Sequence, residues 1–309
     1  MPPTSIQAPA AVVMIRPHRF HPNTETAADN AFQQPAGDRV PRQIAAAARD
    51  EVTAAAETLR EAGVTVHLFD DEGERDTPDA VFPNNWFSTH AGGHVAIYPM
   101  FAPNRRRERR ADVIELLKQR YRVQDVIDYS GLEPDGLFLE GTGAMVLDHL
   151  HRVAYVARSN RANEVALERF CTHFNYEPML FDARGSDGRP VYHTNVMMCL
   201  GSEVALVALD LIGDERRRDE VHRRLVDSGR EVIALSAAQI AEFAGNALEL
   251  TGRGGRVLAL SARAAAALNG LQRRRIERSA RLLPLSVPTI ELAGGSVRCM
   301  LAGVHLAPR

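Results

Sequence analysis

Five polar residues interrupt apolar stretches of this sequence at nearly constant spacing. They are Asn85, Glu140, His193, Asn246 and Cys299, and the intervals between them are 55, 53, 53 and 53 residues. A thiol, an imidazole and a carboxylate together supply a nucleophile, a proton carrier and an orienting or substrate-binding group. Because a buried polar group without a partner costs about 1–3 kcal/mol, core packing alone does not explain this set. We assign the five residues to the first strand of each predicted hairpin, and the interval predicts that their side chains face one central cavity.

The cysteine and the histidine at this repeat position are the candidate catalytic residues. Unperturbed thiols ionise near pH ~8.5, so a nucleophilic cysteine needs a neighbouring group that favours its thiolate. We predict that His193 is the general acid and base, with Glu140 nearby. Taken singly, His193 is also compatible with an ordinary hydrogen-bonded histidine, and Glu140 with a cap of the glycine turn that follows it. Cys171 and Cys199 do not share the repeat position of Cys299 and are predicted to be structural.

The same interval organises the secondary structure. Four β-branched segments contain the valines Val95, Val153, Val204 and Val257. A turn and another apolar stretch precede each segment, which predicts four hairpins. A helical pattern follows each hairpin, with Asp214 and Ser261 placed as N-caps. The predicted helices are 104–120, 161–174, 214–228 and 262–281, and the predicted third strands are 123–129, 178–182, 231–235 and 284–290.

The two ends of the sequence supply a fifth unit. Near the N-terminus we predict a strand at 11–15, a helix at 42–62 and a strand at 64–69. At the C-terminus we predict a hairpin of strands 297–302 and 304–306. Side by side, these ends would complete five repeats and remove the exposed ends of the array. We therefore predict an α/β protein in which residues 1–309 form a single domain of five ββαβ-type repeats, with the termini closing the ring.

Composition narrows the function classes. The 37 Arg and Lys against 39 Asp and Glu give a net charge of −2, which disfavours a dedicated nucleic-acid binder. We assign the basic run 105–110 to the solvated opening of helix 104–120 rather than to an anion or nucleic-acid patch. Without a long apolar run or a signal-peptide pattern, we predict a cytoplasmic protein with no membrane partner. A homo-oligomer is compatible with the sequence. Three cysteines without a Cys-x-x-Cys pair disfavour a disulfide scaffold or a zinc site.

Short motifs along nearly the whole chain resemble, in order, those of the guanidino-group modifying superfamily, the penteins. The motifs are Asp79-Ala-Val-Phe-Pro-Asn-Asn85, Glu140-Gly-Thr-Gly143, Ser159-Asn-Arg161-Ala-Asn163, His193-Thr-Asn195 and Gly295-Ser-Val-Arg-Cys299. The superfamily contains arginine deiminase, dimethylarginine dimethylaminohydrolase and the amidinotransferases. Within it, the motifs are most similar to those of amidinotransferase-like proteins associated with citrulline utilisation.

The resemblance implies a five-bladed pseudo-symmetric α/β propeller and covalent catalysis on a small amino-acid substrate. Cys299 would attack the central carbon of a guanidino or ureido group. His193 would protonate the leaving nitrogen and then activate water, while Glu140 would hold substrate nitrogens and orient His193. Arg161 matches the family arginine that binds the substrate carboxylate, although Ala162 replaces the usual Thr. The implied substrate-binding set is Asp79, Asn84, Asn85, Arg161, Asn195 and Asn246, with no metal and no organic cofactor.

The sequence departs from the deiminase-type relatives at Asn84, Asn85 and Asn195, where those proteins carry acids that bind a permanently cationic guanidinium. An amide offers both a donor and an acceptor, which suits a neutral ureido group. Burying a cation with fewer counter-charges is costly. We therefore expect a hydrolase whose first-choice substrate is citrulline, converted to ornithine, ammonia and carbon dioxide. Arginine deiminase, dimethylarginine dimethylaminohydrolase and amidinotransferase activities are the alternatives.

Two interpretations come from other classes. A papain-like hydrolase would place its cysteine at the start of a long helix and before the histidine in chain order. Here Cys299 follows His193 and lies in a predicted strand. A non-catalytic small-molecule binding protein on the same ring is the second, more distant alternative, because it would bind without turnover.

Overall fold

Five three-stranded sheets form the framework of the protein, whose computed structural model describes residues 5–35, 37 and 39–309. The strands, in chain order, are β1 (Ala11–Pro17), β2 (Thr65–Asp71), β3 (Phe87–His90), β4 (His94–Ile97), β5 (Asp125–Asp128), β6 (Met145–Asp148), β7 (Val153–Ala157), β8 (Glu177–Phe181), β9 (Met198–Leu200), β10 (Val204–Val207), β11 (Glu231–Ala234), β12 (Leu248–Gly252), β13 (Gly255–Ser261), β14 (Arg281–Leu285) and β15 (Ala302–Gly303).

Every sheet has the same internal order. An inner strand pairs antiparallel with a middle strand, and the middle strand pairs parallel with an outer strand that follows a helix. In the second sheet, for example, Thr89 of β3 pairs with Val95 of β4, which pairs in turn with Val126 of β5. The parallel pair needs a crossover, and the helix supplies it while covering the apolar face of the sheet. The α/β class and the repeated unit agree with the sequence prediction.

The helices lie between the middle and outer strands or on turns near the axis. They are α1 (Pro41–Glu61), α2 (Ala111–Arg120), α3 (Gly141–Ala144), α4 (Glu164–Phe174), α5 (Glu215–Asp227), α6 (Ala237–Ala241), α7 (Ala262–Ala267), α8 (Gly270–Glu277) and α9 (Val297–Met300). Asp214 and Ser261 cap α5 and α7 as predicted, accepting from Arg217 and Ala264. No helix in the described ranges is long and apolar enough to cross a membrane.

Two predicted helices are each divided in the structure. The stretch 104–120 becomes a 3-10 helix, Pro103–Glu108, followed by α2, because Arg109 and Arg110 adopt extended backbone. The stretch 262–281 divides into α7 and α8 at Leu268, where Asn269 starts the second helix with a capping box. The outer strand predicted at 284–290 is β14, several residues earlier.

The first sheet joins segments from near both ends of the sequence. β15 pairs antiparallel with β1, with Val12 opposite Gly303, and β1 pairs parallel with β2. The predicted hairpin of 297–302 with 304–306 is wrong: residues 297–300 form α9, and β1 takes the place of its second strand. The Val304 N–H donates to Ala11 O over 2.8 Å, which fixes this pairing.

The inner strands surround a cavity on the axis of the molecule. All five of them, β3, β6, β9, β12 and β15, contribute residues to its lining. We call it the axial cavity. Its volume is about 40 Å³, room for roughly three water molecules. The equivalent strands of all five sheets therefore converge, as a closed ring requires.

Candidate active site

Short turns, rather than strands, position the five residues of the repeat. Asn85 ends a 3-10 turn, Glu140 and His193 immediately precede helical turns, Asn246 follows a turn, and Cys299 lies inside α9. The strand assignment is therefore wrong for all five, because each turn closes on itself before the inner strand begins. The Cys299 N–H, for instance, donates to Ser296 O over 3.0 Å. The prediction that equivalent positions meet near the axis is nevertheless confirmed by the contacts that follow.

Glycines in the turn after Glu140 allow this close convergence. A Cβ on Gly141, whose φ is +46°, would lie 2.4 Å from the backbone oxygen of Asn84. A Cβ on Gly143 would overlap the side-chain amide of Asn85 and lie 2.9 Å from Nδ1 of His193. Side chains at these positions would push apart the turns of three repeats. The Glu-Gly-Thr-Gly motif thus has a packing reason as well as a chemical one.

Glu140 and His193 form a buried pair. Glu140 Oε2 lies 2.8 Å from His193 Nε2, and both side chains are almost fully excluded from solvent. The carboxylate acts as acceptor, so the neutral imidazole carries its proton on Nε2 and presents Nδ1 as the basic nitrogen. Burial lowers the pKa of His193 to about 4, while the hydrogen bond to Glu140 opposes the shift. Burial raises the pKa of Glu140, but Arg161 and His193 outweigh it and hold the pKa well below its usual range.

Two amide groups surround the sulfur of Cys299. Asn195 Nδ2 and Asn246 Nδ2 each lie 3.3 Å from Sγ and donate to it. Asn246 is itself held in place, since its Nδ2 also donates to Asn195 O and its Oδ1 accepts from the Arg298 N–H. Two N–H donors stabilise negative charge on the sulfur. This arrangement gives the thiol a route to its nucleophilic form that does not require a cationic side chain in contact with it.

Arg161 is buried and already paired. Its Nε and Nη2 donate to the two carboxylate oxygens of Asp29 over 3.0 and 2.6 Å, and its Nη1 lies 3.5 Å from Glu140. The guanidinium also stacks over Tyr192, with 4.8 Å to the ring centroid. Asp29 therefore occupies two donors of Arg161, the residue to which the resemblance to the penteins assigns the substrate carboxylate.

Arg105 belongs to the site, which corrects the assignment of the basic run to a solvated helix face. Its side chain is only 2% exposed, and it forms a bidentate ion pair with Glu108 over 2.8 and 3.0 Å. It also lies 3.6 Å from Asp79 and 3.5 Å from Glu140. Burial raises the pKa of Glu108, and Arg105 opposes that rise. Arg105 and Glu108 lie three residues apart in the short helix that begins at Pro103. This spacing is the sequence signal that could have identified them.

The amide of Asn85 completes this ion-pair group. In the orientation that satisfies its neighbours, its oxygen accepts from Arg105 over 2.9 and 3.0 Å. Its nitrogen then donates to Asn84 Oδ1 over 3.0 Å, which leaves Asn84 Nδ2 without a partner among the described residues. Asp79 Oδ1 and Asn195 Oδ1 are likewise buried and unpartnered there. Two acceptors and one donor thus remain unsatisfied close to the reacting groups.

A small cavity connects these residues. Asp79, Asn85, Arg161, His193 and Cys299 line it directly, together with Arg105 and Tyr192. Glu140, Asn84, Asn195 and Asn246 lie behind it, in contact with His193, Asn85 or Cys299. All nine residues predicted for the site are therefore brought together. The cavity volume is about 10 Å³, which is room for roughly one water molecule.

Residues 23–34 close this cavity, and we call them the covering segment. Asn23 donates to Asp79 over 2.8 Å, Asp29 binds Arg161, and Asn30 donates to Ala293 O over 2.9 Å. The Gln34 N–H donates to Leu292 O over 2.9 Å. A substrate of amino-acid size does not fit beneath these contacts, so the segment has to move for substrate to enter.

In the part of the chain that the structure describes, one trio of His, Asp and Glu side chains brings its ligand atoms within 4.8 Å: His18, Asp70 and Glu72. This trio is at least partly exposed, and Arg16 already pairs with Asp70 over 2.7 Å. It carries no functional assignment.

Comparisons with known proteins agree with this geometry. The family model described as N,N dimethylarginine dimethylhydrolase, eukaryotic, matches residues 16–306. No curated protein sequence matches the chain. The N-terminal domain of ArgZ, an arginine dihydrolase from the ornithine-ammonia cycle in cyanobacteria, has a TM-score of 0.73 at 15% identity, covering 96% of this chain and 98% of that one.

Two further solved structures share the fold. Unliganded AgrE has a TM-score of 0.73 at 17% identity; 97% of this chain is covered, but only 40% of AgrE. A mutant DDAH from Pseudomonas aeruginosa, complexed with citrulline, has a TM-score of 0.64 at 14% identity, covering 96% and 99% of the two chains. At these identities the structural likeness shows the fold. The predicted five-bladed α/β propeller of the penteins is confirmed.

Proposed function

This chain belongs to the N,N dimethylarginine dimethylhydrolase family, and from that premise we propose that it hydrolyses the ureido group of citrulline to give ornithine, ammonia and carbon dioxide. The family makes it a guanidino-group modifying enzyme that acts on C–N bonds. The choice of a ureido substrate goes further. It depends on the polar atoms that the site leaves unpartnered.

The unpartnered atoms suit a ureido group better than a guanidinium. Asp79 Oδ1 and Asn195 Oδ1 need donors, and Asn84 Nδ2 needs an acceptor. A ureido group brings N–H donors and a carbonyl oxygen, whereas a guanidinium has only donors. A ureido group can therefore satisfy both kinds once the cavity has opened to reach Asn84 and Asn195, which lie behind its wall. Leaving the buried Asn84 amide unpaired would cost about 1–3 kcal/mol. This single observation carries the proposal.

The catalytic sequence follows from the positions of Cys299 and His193. The Cys299 thiol gives its proton to His193, and the thiolate, held by the two amide donors, attacks the ureido carbon. His193 delivers a proton to the terminal nitrogen, which leaves as ammonia and gives a thiocarbamate on the sulfur. His193 then takes a proton from water, which attacks the same carbon and releases a carbamate from Cys299. The carbamate loses carbon dioxide to give ornithine, so one water is consumed for each citrulline.

Glu140 is the positioning residue in this sequence. Its contact with His193 fixes the imidazole tautomer, and its charge stabilises the imidazolium that forms when His193 accepts a proton. Arg161 would bind the substrate carboxylate once Asp29 has moved away. The substrate-binding roles of Asp79, Asn84, Asn85, Asn195 and Asn246 belong to the same proposal.

Arginine is the second candidate substrate, and the Asp79 carboxylate favours it. A buried, half-unpaired carboxylate is a suitable partner for a guanidinium N–H. The protein would then act in two hydrolytic steps, first to citrulline and then to ornithine. ArgZ, which shares the fold, is described as an arginine dihydrolase.

Product analysis tests the proposal. Purified protein is incubated with citrulline, arginine or dimethylarginine, and ornithine, citrulline, ammonia and dimethylamine are measured. Ornithine from citrulline is the expected result. Citrulline accumulating from arginine or dimethylarginine, with no ornithine from citrulline, would overturn it in favour of a deiminase or a dimethylaminohydrolase. An amidinotransferase would instead give a new guanidino product when glycine is supplied.

Variants identify the nucleophile. Cys299→Ser and His193→Gln should abolish turnover, and intact-mass measurement should find a substrate adduct in wild type but not in Cys299→Ser. Cys171→Ser is the matched control, since Cys171 lies in α4 away from the cavity and burial raises its pKa to about 12. Binding without turnover, unaffected by Cys299→Ala, would instead identify a binding protein.

A further inference from the structure

The axial cavity has an unusual charge balance. Three basic side chains line it, Arg298, His149 and His305, and no acidic residue does so among those that the structure describes. The rest of the lining is neutral. Burial lowers the pKa of both histidines, so their imidazoles are neutral at pH 7. The Arg298 guanidinium is then the one formal charge among the described residues of the lining, and it has no counter-charge there.

Arg298 has no ion pair in the described chain. No carboxylate of the described residues acts on its guanidinium, and its side-chain hydrogen bond there runs from Nη1 to Leu301 O over 3.0 Å. The three arginines that are buried elsewhere in the described chain each have a carboxylate partner: Arg105 pairs with Glu108, Arg161 with Asp29 and Arg230 with Asp148. The guanidinium therefore keeps donors available inside the cavity.

Two stacked imidazoles face the same space. The rings of His149 and His305 lie 3.8 Å apart between centroids. His149 Nδ1 lies 2.9 Å from the Tyr176 hydroxyl and can accept its proton, which leaves an Nε2–H donor for the cavity. His305 Nδ1 donates to Ile6 O over 3.2 Å, so its Nε2 donates only when the ring is protonated. Burial and the charge of Arg298 both lower the pKa of His305, to about 4.

We propose that the axial cavity binds a small inorganic anion of the size of chloride, between the Arg298 guanidinium and the Nε2–H of His149, beside the His305 ring. Such an anion supplies the counter-charge that no side chain of the lining provides. The volume of about 40 Å³ has room for chloride with one or two waters and is too small to hold a larger organic anion entirely. This site is separate from the proposed hydrolysis and does not depend on it.

The anion would lie directly behind the nucleophile. The Arg298 N–H donates to Asn246 Oδ1, and Asn246 Nδ2 donates to Cys299 Sγ. Fixing Arg298 therefore fixes the amide that holds the sulfur. The expected consequence is a more stable fold, since a ligand that binds only the folded state stabilises it by mass action.

The first test is thermal unfolding of the full chain in sodium chloride against sodium gluconate at equal ionic strength. Gluconate is too large for the cavity, so the comparison removes general salt effects. A tenfold excess of chloride over its Kd should raise the midpoint by about 2 °C for a chain of this length. Arg298→Met should lose this difference. Arg274→Met is the control, because Arg274 is exposed on α8 and should keep it.

The second test locates the ion and does not depend on any variant. Crystals of wild-type protein soaked in sodium bromide should show an anomalous peak within about 3.5 Å of the Arg298 guanidinium, a contact distance for a charge-assisted pair. Equal midpoints of wild type in chloride and gluconate, or a chloride effect retained by Arg298→Met, would overturn the proposal. A bromide peak without any stabilisation in solution would mean binding at crystal concentration only, which also overturns it. If Arg298→Met does not fold, the wild-type comparison and the peak decide.

Discussion

The amide layer around Cys299 gives the sharpest prediction. Replacing Asn246 by Asp preserves the shape of the side chain and its bond to the Arg298 N–H, but it turns the N–H that faces Sγ at 3.3 Å into a carboxylate oxygen. The change therefore removes one donor from the sulfur and places a negative charge beside it.

The magnitude follows from these two effects. A hydrogen bond to a charged group contributes about 1.5–3 kcal/mol, which corresponds to roughly 10- to 100-fold in the population of the charged form. Repulsion between two unit charges 3.3 Å apart adds up to about 5 kcal/mol at an effective dielectric constant of ~20. This second value is an upper limit, because the new carboxyl group can take up a proton instead. We expect Cys299 in Asn246→Asp to react at least about 10-fold more slowly at pH 7.

The assay is alkylation by iodoacetamide, followed at the Cys299 peptide by mass spectrometry, together with kcat/KM for citrulline. Both rates should fall together, since both need the thiolate. Asn269→Asp is the matched control, because Asn269 is an exposed N-cap whose role Asp fills equally well. Alkylation of folded Asn246→Asp at the wild-type rate would refute the view that the amides favour the thiolate.

Three further predictions concern groups around the cavity. Glu108→Gln leaves the buried Arg105 without its bidentate partner and should lower the free energy of unfolding by about 3 kcal/mol in urea; a loss below 1 kcal/mol would contradict the pairing. Asp29→Asn weakens the carboxylate that competes with the substrate carboxylate for Arg161, so KM for citrulline should fall about threefold to tenfold with kcat unchanged. A rise in KM would show that Asp29 instead holds Arg161 ready for substrate. Burial lowers the pKa of four histidines, so they take up protons near pH 6.5 only in the unfolded chain. The free energy of unfolding should therefore fall as the pH drops from 6.5 towards 4, by up to about 1.4 kcal/mol per pH unit for each histidine. An unchanged free energy of unfolding between pH 7.5 and 5 would refute this. The four histidines are His90, His149, His193 and His305.

The repeat could be predicted from sequence because burial imposes it. Val95, Val153, Val204 and Val257 all lie in middle strands, whose side chains are enclosed by sheet and helix and must be apolar. The turns before the inner strands could not be distinguished from strands, since a single helical turn leaves no periodic pattern to detect. The organisation of residues 1–309 as a single domain and the role of each site residue stay predictions.

The parts of the site that sequence analysis missed lie outside the repeat. Asn23 and Asp29 belong to a covering segment without helix or strand periodicity, so nothing in their spacing indicates that they reach Asp79 and Arg161. Arg105 was hidden in a run of six residues of which five are arginines, most of which are exposed or half-buried. Beyond the nearby Glu108, its burial depends on Asp79 and Glu140, which come from other parts of the chain, and a local pattern does not contain this information.

The pairing of β15 with β1 has a consequence for how the protein is made. Cys299 lies three residues before β15, and β15 is held by a strand that is synthesised nearly 290 residues earlier. Contacts so distant in sequence form late, because the chain entropy of closing the loop must be overcome first. On the ribosome, therefore, the other repeats can assemble while the nucleophile is still absent from its place. Catalytic activity should therefore arise in one late step. In a refolding experiment, the time at which activity appears would report when β15 pairs with β1.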